Sequence, residues 1–112
     1  MEPFGEVISS YSRAQALEDG VLGDVSEKAR EAGFKIPVAI TERLHNHLEG
    51  ESYNGRLWDV LNVLMFSIRQ SGAGERIYFK VKIGRKVEDL WAVCGPGDNM
   101  EPVITIMFQD ED

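Results

Sequence analysis

The apolar residues of this chain change their spacing once, and the change constrains the fold more than any other feature. Between Arg56 and Gln70 the spacing is helical. Leu57, Val60, Leu61, Leu64 and Ile68 fall on one face at about 100° per residue. Trp58 and Met65 widen that face on one side and Val63 on the other, leaving Asp59, Asn62, Arg69 and Gln70 as a narrow polar strip. A helix with so broad an apolar face belongs at the centre of a fold. "SGAGE" at 71–75 breaks it. The period then drops to two, with Ile77, Phe79, Val81 and Ile83 alternating with Tyr78, Lys80 and Lys82. That is the pattern of a half-buried strand. "GRK" reads as a tight turn, Val87 to Cys94 as a second strand and Pro102 to Phe108 as a third.

The first half reads as short helices. Ser10 or Ser12 caps a helix that runs to Asp19 and stops at Gly20. Val21 and Leu22 are a brief extended piece. Ser26 caps a second helix that ends at Gly33. Phe34 to Ile40 is a strand or extended segment, and Pro37 in its middle marks it as an edge or an irregular run. Thr41 caps a third helix from Glu42 to about Glu49, and "GESYNG" at 50–55 is a loop by composition. With helices first and strands last, the expected class is α+β: short N-terminal helices and one long central helix packed on a C-terminal three-stranded antiparallel meander. The 112 residues make a single domain, 1–112, with a frayed tail at 109–112.

Composition narrows the function. The longest apolar run, Val63 to Phe66, is far too short to span a membrane. No basic segment followed by an apolar run opens the chain, and Cys94 is its only cysteine, so a cytoplasmic protein is expected. The formal charge of −7 makes nucleic acid an unfavourable partner. The charge is uneven, however. Arg76, Lys80, Lys82, Arg85 and Lys86 lie in one stretch without an acid, which leaves seven of the 12 basic residues to face all 19 acidic ones elsewhere. Those five either guard an edge strand or form an anion- or nucleic-acid-contacting patch. No metal and no cofactor is implied. His45 and His47 of "HNH" would point about 200° apart on a helix and cannot chelate one ion.

The polar groups that local structure does not explain are the candidate site. Arg13 beside a helix start opposes the dipole, so it is not there for the helix. It pairs internally, binds a carbonyl or meets a ligand, with Tyr11 and Gln15 as neighbours. Cys94 opens "CGPGDNMEP", a connection longer than a minimal hairpin, which brings in Asp98. Cys94 is either a nucleophile with a base nearby or a buried small hydrophobe. A ligand site would gather Tyr11, Arg13, Gln15, Cys94 and Asp98 between the helices and the sheet. Phe66 sits inside the polar strip of the long helix, so either another element covers it or it marks a partner contact.

Three segments, "VISSYSRAQALEDGVLGDVSEKAREAGFKIPVAIT", "NGRLWDVL" and "AVCGPGDNMEPVITIM", taken in order, resemble a family of short bacterial proteins known only as a domain of unknown function. Its members turn up on plasmids, phages and other mobile elements. The resemblance runs from Val7 to about Asp112 and implies no activity, substrate or catalytic residue. The chain departs from the pattern in its short "EGESYNG" and "GRK" connections, and in lacking a tryptophan within "ERLHNHLE". The resulting expectation is an accessory protein of mobile elements that acts by binding a host or mobile-element protein, inhibition of a defence complex being one form. The alternatives are a small enzyme or ligand sensor, and a weak nucleic-acid-binding regulator.

Overall fold

The computed structural model describes residues 12–72 and 74–111. Along the chain lie α1 (Arg13–Glu18), β1 (Leu22–Asp24), α2 (Ser26–Glu31), β2 (Val38–Thr41), α3 (Glu42–Leu48), α4 (Tyr53–Ser71), β3 (Arg76–Ile83), β4 (Lys86–Pro96) and β5 (Pro102–Phe108). The fold is mixed α+β, as expected, with four helices among the described residues.

The sheet is larger than a meander. Its order is β1-β2-β5-β4-β3. The three C-terminal strands do pair antiparallel in succession, but β2 joins them in parallel along β5, and β1 closes that side antiparallel to β2. The segment read as an edge or irregular run is therefore an interior strand. Pro37 does not prevent this, because the strand begins one residue later. The Pro37 carbonyl still accepts a hydrogen bond from the Ile104 N–H at 2.9 Å. Val38, Ala39 and Ile40 are buried.

One face of the sheet carries the core. Ile77, Phe79, Val81 and Ile83 of β3 alternate inward as the period-two pattern requires. Leu57, Val60, Leu61 and Leu64 of α4 pack into the same cluster, with Leu44 and Leu48 of α3 and Ala29 of α2. α4 begins three residues before its expected start, inside the stretch read as a loop. Tyr53 accounts for this: its ring packs against the core cluster and its hydroxyl meets His45 Nδ1 at 3.0 Å. Tertiary contact outweighs the loop-like composition of "GESYNG".

The caps also differ in detail. Ser12 accepts from the Gln15 N–H at 2.9 Å and Thr41 from the Leu44 N–H at 3.3 Å. Ser10 lies outside the described residues. Ser26 is the first residue of α2 and not its cap. Its N–H and hydroxyl both donate to the Asp24 carboxylate, at 3.1 and 2.6 Å. Gly20 and Gly33 stop α1 and α2 at φ of 80° and 104°, where a side chain would be strained.

Residues 109–111, part of the tail expected to fray, make contacts with the rest of the fold. Gln109 donates to the Asp89 carbonyl, Asp110 pairs with Arg43 at 2.6 Å, and the Glu111 carboxylate accepts from the Phe108 N–H and the Thr41 hydroxyl, both at 2.9 Å. The acids after β5 thus tie its end to α3.

Candidate functional site

Arg13 and Asp98, 85 positions apart, meet at the start of α1. The N–H groups of Arg13 and Ala14 donate to the two Asp98 carboxylate oxygens at 2.7 and 2.9 Å. Together with the Ser12 hydroxyl and carbonyl, this satisfies the first four N–H groups of a six-residue helix. The negative charge that favours a helix N-terminus thus comes from the β4–β5 loop. Arg13 turns away from the helix. Its Nη1 donates to Thr105 Oγ1 at 2.8 Å and its Nη2 to the Ile104 carbonyl at 3.0 Å, so the guanidinium clamps α1 to β5.

The electrostatics follow from this geometry. The Ala14 and Arg13 N–H groups hold the Asp98 carboxyl below its ordinary pKa, and the Arg13 charge adds to the effect. Partial burial pulls the Arg13 pKa down, while Asp24, Asp98 and Glu101 push it back up. A carboxylate depressed in the folded state contributes stability above its unfolded pKa of about 3.9, and that stability is lost as pH falls through the lower folded value. Asp98→Asn is accordingly expected to lower the thermal midpoint at neutral pH and to flatten its decline below about pH 4. Midpoints measured against pH for both proteins check this, and superimposable curves would refute it.

Around this contact lies an open cleft of about 460 Å³. Its walls are α1, α2, the segment leading into β2, the β4–β5 loop and the start of β5. It brings Arg13 and Asp98 together with Asp24, Arg30, Lys35 and Glu101, and its apolar lining includes Leu17, Ile36, Pro37 and Val103. Arg30 and Lys35 carried no signal of this in the sequence. They flank a glycine stop and look like ordinary surface cations.

The other expected members are placed elsewhere. Gln15 donates to Asp19 one turn along α1, at 3.0 Å. Tyr11 lies outside the described residues. Cys94 is opposite Ile104 in the sheet register and packs against the core cluster, whereas Arg13 reaches Thr105, which points the other way. The sheet thus separates Cys94 from Arg13. Burial pushes the Cys94 thiol above its ordinary pKa, the opposite of what a nucleophile needs. Cys94 instead borders a separate shallow depression with Pro96, Met100 and Pro102.

The basic stretch is divided. Lys80 pairs across the hairpin with Asp89 at 2.9 Å, and the Arg76 guanidinium sits 4.3 Å from the centre of the Trp91 ring. Lys82, Arg85 and Lys86 remain exposed near the turn. Of the histidines, His45 faces Tyr53, and His47 Nε2 meets Glu88 at 2.9 Å. Among the described residues no group of three or more His, Cys, Asp or Glu side chains could hold a metal ion. None of their helices is long and apolar enough to cross a membrane. Phe66 is not covered: it is 62% exposed on the outward side of α4, and Trp58, two turns earlier, is 38% exposed.

Fold and site together define a small α+β domain in which a helix-covered mixed sheet carries a charged cleft at one end. Residues 3–56 match the model of a family of unknown function (DUF6573). No curated protein and no solved structure gives a match.

Proposed function

We propose that this protein acts by binding a protein partner through the outward face of α4, and not by catalysis. The observation that carries the reading is the exposure of Phe66 and Trp58 on that face. Trp58, Asn62 and Phe66 follow one i, i+4, i+8 ridge, and the helical rise sets the Cα atoms of Trp58 and Phe66 about 12 Å apart along the axis. Aromatic side chains that remain in water on a rigid helix are the residues most often found carrying interface energy. The titratable groups support the non-catalytic half of the reading. The Cys94 thiol is raised, and both histidines face partners within the fold.

As a cytoplasmic accessory protein of mobile elements, it would take a host protein as partner, and blocking a defence complex is one form such binding would take. This part rests on the sequence resemblance alone. Photo-crosslinking from position 62, compared with position 86 on the hairpin, tests the surface. A specific partner is expected to crosslink from position 62 only. Replacing both Trp58 and Phe66 with serine is expected to weaken binding by at least about thirtyfold without changing the thermal midpoint by more than a few degrees. A partner held equally well by the double variant, or substrate turnover by the purified protein, would overturn the reading.

A further inference from the structure

We infer that the cleft beside Arg13 is a site for a small organic anion, a carboxylate or similar group carried on an apolar body. The argument begins with which charges there are already used. Both Asp98 oxygens accept N–H groups of α1. One Asp24 oxygen accepts both donors of Ser26, and one Glu101 oxygen accepts the Asn99 N–H. The Arg13 guanidinium, which those three carboxylates surround, is committed to Thr105 and the Ile104 carbonyl. The three acids and Arg13 therefore form a largely self-satisfied set.

Arg30 and Lys35 differ. Both are exposed, both line the cleft, and neither side chain has a hydrogen-bond or ion-pair partner among the described residues. The three cations and three carboxylates of the cleft balance in number, but the charged donors still without a partner are those of Arg30 and Lys35, which approach from the end of α2 and the segment after it. Charged donors of this kind recognise an anionic group by charge-assisted hydrogen bonds. Leu17, Ile36, Pro37 and Val103 supply the apolar wall. A volume of about 460 Å³ lies within the range of small-molecule sites and is far larger than an inorganic ion requires. Apolar lining beside a few placed charges selects a molecule with both characters. The site shares no residue with the α4 surface and does not depend on the partner reading.

Titration of the isotopically labelled full chain, followed by amide NMR shifts, tests the inference with three probes. Benzoate carries the anion and the apolar body, benzamide is its neutral counterpart, and inorganic phosphate is an anion without an apolar body. Benzoate at up to about 10 mM is expected to shift the amides of Ala14, Ile36 and Val103 in a saturable way. Benzamide is expected to bind at least about tenfold more weakly, and phosphate to leave Ile36 and Val103 unmoved. Replacing both Arg30 and Lys35 with glutamine is expected to weaken benzoate about tenfold or more. Both side chains are exposed, so this variant keeps its fold. Absence of shifts at the cleft, equal binding of benzamide, or benzoate binding unchanged in the double variant would each overturn the inference.

Discussion

Leu64→Ala is expected to lower stability by about 3 kcal/mol, the largest single effect predicted for this chain. Leu64 has no exposed surface and sits on the α4 face that packs on the sheet. Truncation removes three buried carbons, and the neighbours cannot close the gap. Leu61, Val60 and Leu57 occupy the same face of one stiff helix, and the opposite wall is a sheet held by its own hydrogen bonds. The thermal midpoint should fall by about 10–15 °C for a domain of this size. Phe66→Ala provides the contrast. It lies two residues further along the same helix and removes a larger side chain, yet it should change stability by less than about 0.5 kcal/mol, because that ring is already in water. Denaturant unfolding of the two variants measures the difference. Equal losses would mean that Phe66 is covered in solution, which would also remove the basis of the proposed contact surface.

The elements that were legible in the sequence are those whose signal is local. α4 and β3 declare themselves because each runs long enough for its period to repeat, and the break between them is rich in glycine. β1 and β2 are three and four residues long. A pattern of period two cannot establish itself over such lengths. What holds β2 is parallel pairing with β5, more than 60 positions away, and no local feature encodes that register. The same limit explains the tail. "QDED" looks solvated because Arg43 and Thr41, its partners, lie far back in the chain.

The candidate site was half legible. Arg13 stood out because it opposes the helix dipole, and the structure explains it: the side chain leaves the helix and Asp98 supplies the compensating charge. That Arg13 and Asp98 meet is a long-range fact with no local trace. The separation of Cys94, by contrast, follows from parity. Leu90 and Ala92 face the core, so Cys94, four and two residues on from them, faces it as well, and a residue reaching Thr105 must approach the other side. A period-two argument excludes a site uniting Cys94 with Arg13 once β4 is known to run to Pro96.

Arg13→Met is the second large effect, expected to destabilise the fold by about 1–2 kcal/mol. Methionine keeps most of the apolar stem, so the change isolates the guanidinium. Two hydrogen bonds to β5 are lost, and the Ile104 carbonyl and Thr105 hydroxyl lose a donor in a partly buried place. The site is not dry, and water can replace part of what is removed, which keeps the loss below that of a fully buried charged pair. Arg13→Lys should recover only a fraction. A single ammonium on a flexible stem cannot match the planar fork that serves Thr105 Oγ1 and the Ile104 carbonyl at once. In denaturant unfolding the midpoint should fall in the order arginine, lysine, methionine, with an unchanged slope, since the surface exposed on unfolding is the same. Amide exchange gives the local counterpart. Protection should drop first in α1, where the N–H groups depend on Asp98 being held against the helix, while α4 and the central strands keep theirs. If the methionine variant unfolds at the wild-type midpoint with α1 still protected, Arg13 is not the clamp that joins α1 to β5.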